Sequence, residues 1–151
     1  MNDNSTVDLL PNEQLEERSL SSPKPSMLIA EDEADLLYLF QQGLEMIGAE
    51  VFCAENGQKA WELFLDHKGK FDLVISDIFM PGMNGVELMN RVKKHSPTTP
   101  VFLITGYAHL HTLVEESNHK PDAYLEKPFN LPDLYKLIRK HTDGSLHFPN
   151  F

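Results

Sequence analysis

The chain has 151 residues, 41% of them hydrophobic, and a formal charge of −10 from 23 acidic against 13 basic side chains. That is enough chain for one domain with its own core, and too acidic for the basic footprint that direct nucleic-acid binding requires. No apolar run approaches the roughly 20 residues of a membrane helix, the N-terminus MNDNSTVDLLPNEQ does not read as a secretory signal, and the lone Cys53 excludes an internal disulfide and suits the reducing cytoplasm.

Residues 1–25 are polar and end in Ser-Ser-Pro-Lys-Pro, which reads as a flexible N-terminal arm closed by a stiff linker. Leu9-Leu10 and the stretch from Leu15 to Leu20 leave a short helix beside a partner as the less favoured alternative. The pattern changes at Met27. Met27-Leu-Ile-Ala30 is an apolar strand, followed by Glu31-Asp32-Glu33. Leu36, Phe40, Leu44 and Ile47 then recur at helical spacing up to Gly48. A second strand is expected over Glu50–Ala54, with Cys53 as a small buried hydrophobe, then a helix turning Ala60, Leu63, Phe64 and His67 inward. The third strand is placed at Phe71–Ser76, and the third helix is marked by Leu88, Met89 and Val92. Pro100–Ile104 is the fourth strand, Leu110, Leu113 and Val114 suggest a short fourth helix, and Ala123–Leu125 is the fifth strand. Leu131, Leu134, Ile138 and His141 mark the last helix, leaving 143–151 as a C-terminal tail.

Strand and helix alternate five times, and the strands are continuous apolar runs, which implies a parallel sheet covered on both faces. The expected fold is an α/β doubly wound sandwich over residues 26–142. Ligands of such sheets bind outside the carboxyl ends of the strands, so the informative residues are Glu31, Asp32, Asp77, Thr105, Glu126 and Lys127. Singly each is weak, since an acid after a strand is usually a cap or turn residue. Together, carboxylates, a hydroxyl and an ammonium at one crevice suit a hard cation such as Mg²⁺ and phosphoryl transfer onto a carboxylate. The turn signals Pro81-Gly82 and Asn84-Gly85 after Asp77 carry the chain aside and leave that carboxylate open.

These residues make the chain similar to a known family. Glu31-Asp32 after the first strand, Asp77 in DIFMPGMNG, Thr105 in LITGYA and Lys127 in YLEKPF resemble the receiver domain of two-component response regulators, the CheY-like superfamily. The spacings of 45, 28 and 22 residues from Asp32 through Asp77 and Thr105 to Lys127 fit that family. The resemblance implies a flavodoxin-like (βα)5 sheet of order 2-1-3-4-5, the order found in chemotaxis receivers. It implies that Asp77 is the phosphoacceptor and that Asp32, Asp77 and the backbone carbonyl of Phe79 ligate Mg²⁺, with Glu31 acting on the metal through water. Thr105 and Lys127 would bind phosphoryl oxygens, Tyr124 would change rotamer as Thr105 moves, and Lys127–Pro128 would be a cis peptide. It implies a histidine kinase or histidine phosphotransfer protein as phosphodonor. It also implies an output face on the fourth helix, fifth strand and fifth helix, for a downstream protein or a second copy of the chain. Glu31 departs from the more usual Asp. Phe79 and Tyr107, two residues beyond Asp77 and Thr105, are bulky and predict a slow loss of the phosphoryl group.

Other classes fit less well. An aspartyl phosphatase of the haloacid-dehalogenase type wants a second Asp two residues after the nucleophile, where this chain has Phe79. A flavodoxin wants a phosphate-cradling loop after the first strand, where this chain has Glu-Asp-Glu. An interaction domain that works without phosphorylation, or a receiver excised from a hybrid kinase, is the alternative within the family.

Overall fold

The computed structural model describes residues 23–106, 111–142 and 144–150. In chain order the elements are β1 (Ser26–Ala30), α1 (Ala34–Met46), β2 (Glu50–Ala54), α2 (Gly57–Asp66), β3 (Leu73–Asp77), α3 (Gly85–His95), β4 (Val101–Thr105), α4 (His111–Glu115), β5 (Ala123–Glu126) and α5 (Leu131–His141). The five strands form one parallel sheet in the order β2-β1-β3-β4-β5, the doubly wound arrangement that the alternation of elements predicts. Every expected strand and helix is present. Tyr107 and Leu110, and the N-terminal arm up to residue 22, lie outside the described residues.

The pleat explains why the strands read as unbroken apolar runs. Successive side chains of β1 point to opposite faces. Leu28 and Ala30 join Val74 and Leu103 under α2 and α3, with Val114 of α4. Met27 and Ile29 join Ile75, Phe102 and Ile104 under α1 and α5. Both faces are buried, so neither half of the alternation is polar.

Strand boundaries move where backbone pairing decides them. β3 begins at Leu73 and not at Phe71, because the Asp72 carboxylate accepts the Ser26 N–H, 2.8 Å away. It runs on through Asp77, and the Ile78 N–H still bonds the Ile104 carbonyl at 2.9 Å. β4 begins after Pro100, which has no N–H to give but accepts the Val74 N–H at 3.0 Å. Its start is pinned by Asp122, whose Oδ2 accepts both the Val101 N–H at 2.8 Å and the Lys93 ammonium at 2.7 Å. Cys53 is half-buried and not enclosed, because β2 is an edge strand.

Residues after α5 are part of the packing. Leu146 is 5% exposed and lies in the core under α1 and α5. The His147 N–H bonds the Ile47 carbonyl at 2.9 Å. Phe148 sits edge-on to Tyr135 and beneath Arg139, and the Tyr135 hydroxyl donates to the Gly43 carbonyl of α1 at 2.7 Å. A segment expected only as a tail therefore fastens α5 to the end of α1. Leu146→Ala is expected to lower stability by about 3 kcal/mol through the cavity it opens, read as a shifted urea midpoint. A midpoint equal to wild type would show that the segment only rests on the domain.

Candidate functional site

Strand register brings the site together. Ala30 pairs with Ser76, Asp77 with Ile104, and Thr105 with Glu126, so β1, β3, β4 and β5 end level. Pairing continues one residue further, with the Glu31 N–H on the Ala54 carbonyl and the Lys127 N–H on the Thr105 carbonyl, at 3.0 and 2.8 Å. The residues that follow the strands thus enter a single crevice of about 600 Å³, whose walls include Asp32, Glu33, Asp77, Phe79, Lys127 and Phe129.

Asp77 is less open than the turn signals suggest. It is 5% exposed and lines the crevice. Its Oδ1 accepts the Phe79 N–H at 3.1 Å and its Oδ2 accepts the Lys127 ammonium at 2.9 Å. Behind it the chain bends at Pro81, Gly82 and Met83, and the Gly85 N–H returns to the Ile78 carbonyl at 2.9 Å. Asn84 caps α3 through the Glu87 N–H. Thr105 is buried at the end of β4. The Lys127–Pro128 peptide is cis, as the resemblance implies.

Glu31 is fully buried. Its Oε2 accepts the Glu33 N–H at 3.0 Å, while its Oε1 has no hydrogen-bond partner among the described residues and forms a longer ion pair with Lys127 Nζ at 3.6 Å. Burial, reinforced by the charge of Asp77, raises its pKa to about 7 against the opposing pull of the Glu33 N–H and the Lys127 charge. Partial burial works against the Lys127 ammonium. The hydrogen bond and charge of Asp77, with the charges of Glu31 and Glu33, outweigh it and hold its pKa above the ordinary lysine value.

Glu31, Asp32 and Asp77 each offer a carboxylate oxygen within 4.8 Å of the others. A hard oxygen donor set, with one buried oxygen that makes no hydrogen bond among the described residues, fits a hard divalent cation such as Mg²⁺. Crowded carboxylates and a cation site of this kind can bind an anionic group that brings or accepts a cation.

The expected switch residue Tyr124 lies apart from the crevice on the edge strand β5, 38% exposed, with its hydroxyl pKa raised by burial and by Glu115. Leu113 of α4 is also exposed. Phe79 stands at the crevice mouth, 69% exposed. Sequence reasoning missed Glu33, whose Oε1 lies 3.3 Å from Lys127 Nζ. Its only signal was its place directly after the Glu31-Asp32 pair.

Among the described residues no helix is long and apolar enough to cross a membrane. The family model described as the response regulator receiver domain matches residues 27–139. The chain is 34% identical over 114 residues to the regulatory protein AtoC of Escherichia coli, covering 76% of this chain and 24% of AtoC. It therefore spans about a quarter of that relative's length. It is 36% identical over 115 residues to the response regulator receiver protein CpdR of Brucella abortus, covering 76% of this chain and 93% of CpdR. The crystal structure of the response regulator protein TrrA from Thermotoga maritima, in complex with Mg²⁺-BeF, superposes with a TM-score of 0.70 at 32% identity, covering 78% of this chain and 99% of that one. The sheet order, the crevice and these likenesses agree: the chain belongs to the response regulator receiver domains of two-component signalling systems.

Proposed function

We propose that Asp77 is a phosphoacceptor, charged by a histidine kinase or a histidine phosphotransfer protein, and that the domain is a signalling module and not an enzyme acting on a separate substrate. The observation that carries this is the Asp77–Lys127 contact of 2.9 Å inside a crevice that also gathers Glu31 and Asp32. An Asp77 oxygen bonds to phosphorus while the bond from phosphorus to the donor nitrogen or oxygen breaks, and the donor leaves with that electron pair. Lys127 starts on Asp77 Oδ2 and is placed to follow the charge onto a phosphoryl oxygen. The Phe79 N–H holds the other carboxylate oxygen and fixes its direction. The Thr105 hydroxyl, at the end of the neighbouring strand, supplies a donor for the phosphoryl group.

Asp32, Asp77 and the Phe79 carbonyl would hold Mg²⁺, with Glu31 acting on it through water, as the resemblance implies, and the TrrA complex with Mg²⁺-BeF supports this. Bound there, Mg²⁺ supplies the positive charge that lets an anionic donor approach crowded carboxylates. Thr105 and Tyr124 form the switch, and a population shift between two packings alters the face of α4, β5 and α5. Exposed Leu113 and Tyr124 give that face apolar surface for a downstream protein or a second copy. The domain works in the cytoplasm.

The test uses acetyl phosphate with and without EDTA. The wild-type domain is expected to take up label on Asp77 only with Mg²⁺, and Asp77→Asn to lose it. Equal labelling of the variant would refute the reading, and a wild-type domain that takes up no label with Mg²⁺ would favour an interaction domain that works without phosphorylation.

A further inference from the structure

We infer that Glu33 is a positioning residue at the crevice mouth, gripping the Lys127 ammonium from the solvent side and opposing the entry of an anionic phosphodonor. The inference rests on the phosphoacceptor reading of Asp77. It begins with the helix caps. Asn56, Asn84 and Asn130 stand at the N-caps of α2, α3 and α5, and each side chain accepts a backbone N–H of the first turn. Helix α1 differs. Glu33 occupies its N-cap with an extended backbone, and its side chain makes no capping bond. That carboxylate reaches instead to Lys127, 94 positions along the chain, at 3.3 Å.

Its surroundings exclude a role in packing. The Glu33 side chain is 66% exposed, whereas the Asp77 side chain on the other side of the ammonium is 7% exposed. Lys127 thus sits between an inner carboxylate that reacts and an outer one that does not. Glu33 also lines the same crevice as Asp77.

The consequence follows from charge. With acetyl phosphate, an Asp77 oxygen bonds to phosphorus, the phosphorus–oxygen bond to the acetyl group breaks, and acetate leaves with the electron pair. The dianionic donor meets Glu33 on the way in. Lys127 must then move its strongest contact from Asp77 Oδ2 to the phosphoryl oxygens while Glu33 still competes for it. Both effects are electrostatic and act at a wet edge, so they are modest and screened by salt.

Glu33→Gln keeps the shape of the side chain and removes its charge. Labelling by acetyl phosphate is expected to become about two- to fivefold faster at low salt, the range of an exposed ion pair, with the gap closing as salt is raised. The Nζ resonance of Lys127, read by NMR in the unphosphorylated domain, is expected to shift in the variant. Equal or slower labelling at low salt, or an unmoved Lys127 resonance, overturns the inference. Failure of the wild-type domain to label on Asp77 at all would strike the phosphoacceptor reading instead, and the Lys127 resonance would then decide this one alone.

Discussion

Replacing Gly85 by alanine is expected to destabilise the domain by about 3 kcal/mol or more, the upper range for overpacking a site that cannot yield. A Cβ at Gly85 would stand 2.2 Å from the Asp77 carbonyl oxygen and 2.9 Å from the Ile78 Cα. Both are backbone atoms. Neither can move alone, because the Gly85 N–H is bonded to the Ile78 carbonyl and the Ile78 N–H to that of Ile104. Relief therefore requires the end of β3 to shift, and the Asp77 carboxylate shifts with it. A displacement near 1 Å at a reacting group can reduce rate on the order of a hundredfold. Gly82 is the control. Its φ is +77° and a Cβ placed there would meet nothing within 4 Å, so Gly82→Ala adds only the left-handed strain of about 1 kcal/mol and leaves Asp77 in place. Urea midpoints and acetyl phosphate labelling of both variants decide the matter. A Gly85→Ala protein as stable and as readily labelled as wild type would show that the turn has slack.

Metal-free stability is expected to fall as pH rises from about 4.5 to about 7, and Glu31 is the cause. Its carboxyl is raised from 4.5 to about 7 in the folded chain by burial and the nearby Asp77 charge. Folding therefore favours the protonated form. This contribution is whole below the unfolded value and is lost as pH rises through the folded one. At 1.36 kcal/mol per unit the loss is about 3 kcal/mol. Lys127, whose pKa is raised, holds its proton throughout this window and adds no slope. Glu31→Gln, with no proton to lose, is expected to flatten the profile. Urea denaturation in EDTA at pH 5, 6, 7 and 8 measures it. Parallel profiles for variant and wild type would mean that Glu31 is ionised already at pH 5.

Much of this protein was legible in its sequence because a parallel sheet writes itself as local runs. Met27–Ala30 and Glu50–Ala54 are apolar stretches of strand length, and Phe40 and Leu44 repeat at helical spacing, so element type and order need no tertiary information. The candidate site was also legible, since ligands of such sheets bind at the carboxyl ends of the strands, where Glu31, Asp32, Asp77, Thr105 and Lys127 stand. Only the tertiary structure decided the rest. Strand ends depend on partners elsewhere in the chain, as Asp72 does on Ser26 and Ile78 on Ile104. Edge position, not composition, leaves Cys53 half-buried. The segment after α5 is fastened to the end of α1 by the His147–Ile47 hydrogen bond, a hundred positions apart along the chain, and no local pattern records it. The same holds for Glu33. Its ion pair with Lys127 exists because two loops meet at one crevice, and its neighbour Glu31 is buried while Glu33 faces water. Periodicity reports which face of an element is apolar. Which charges meet is decided by distances between elements, which only the folded chain sets.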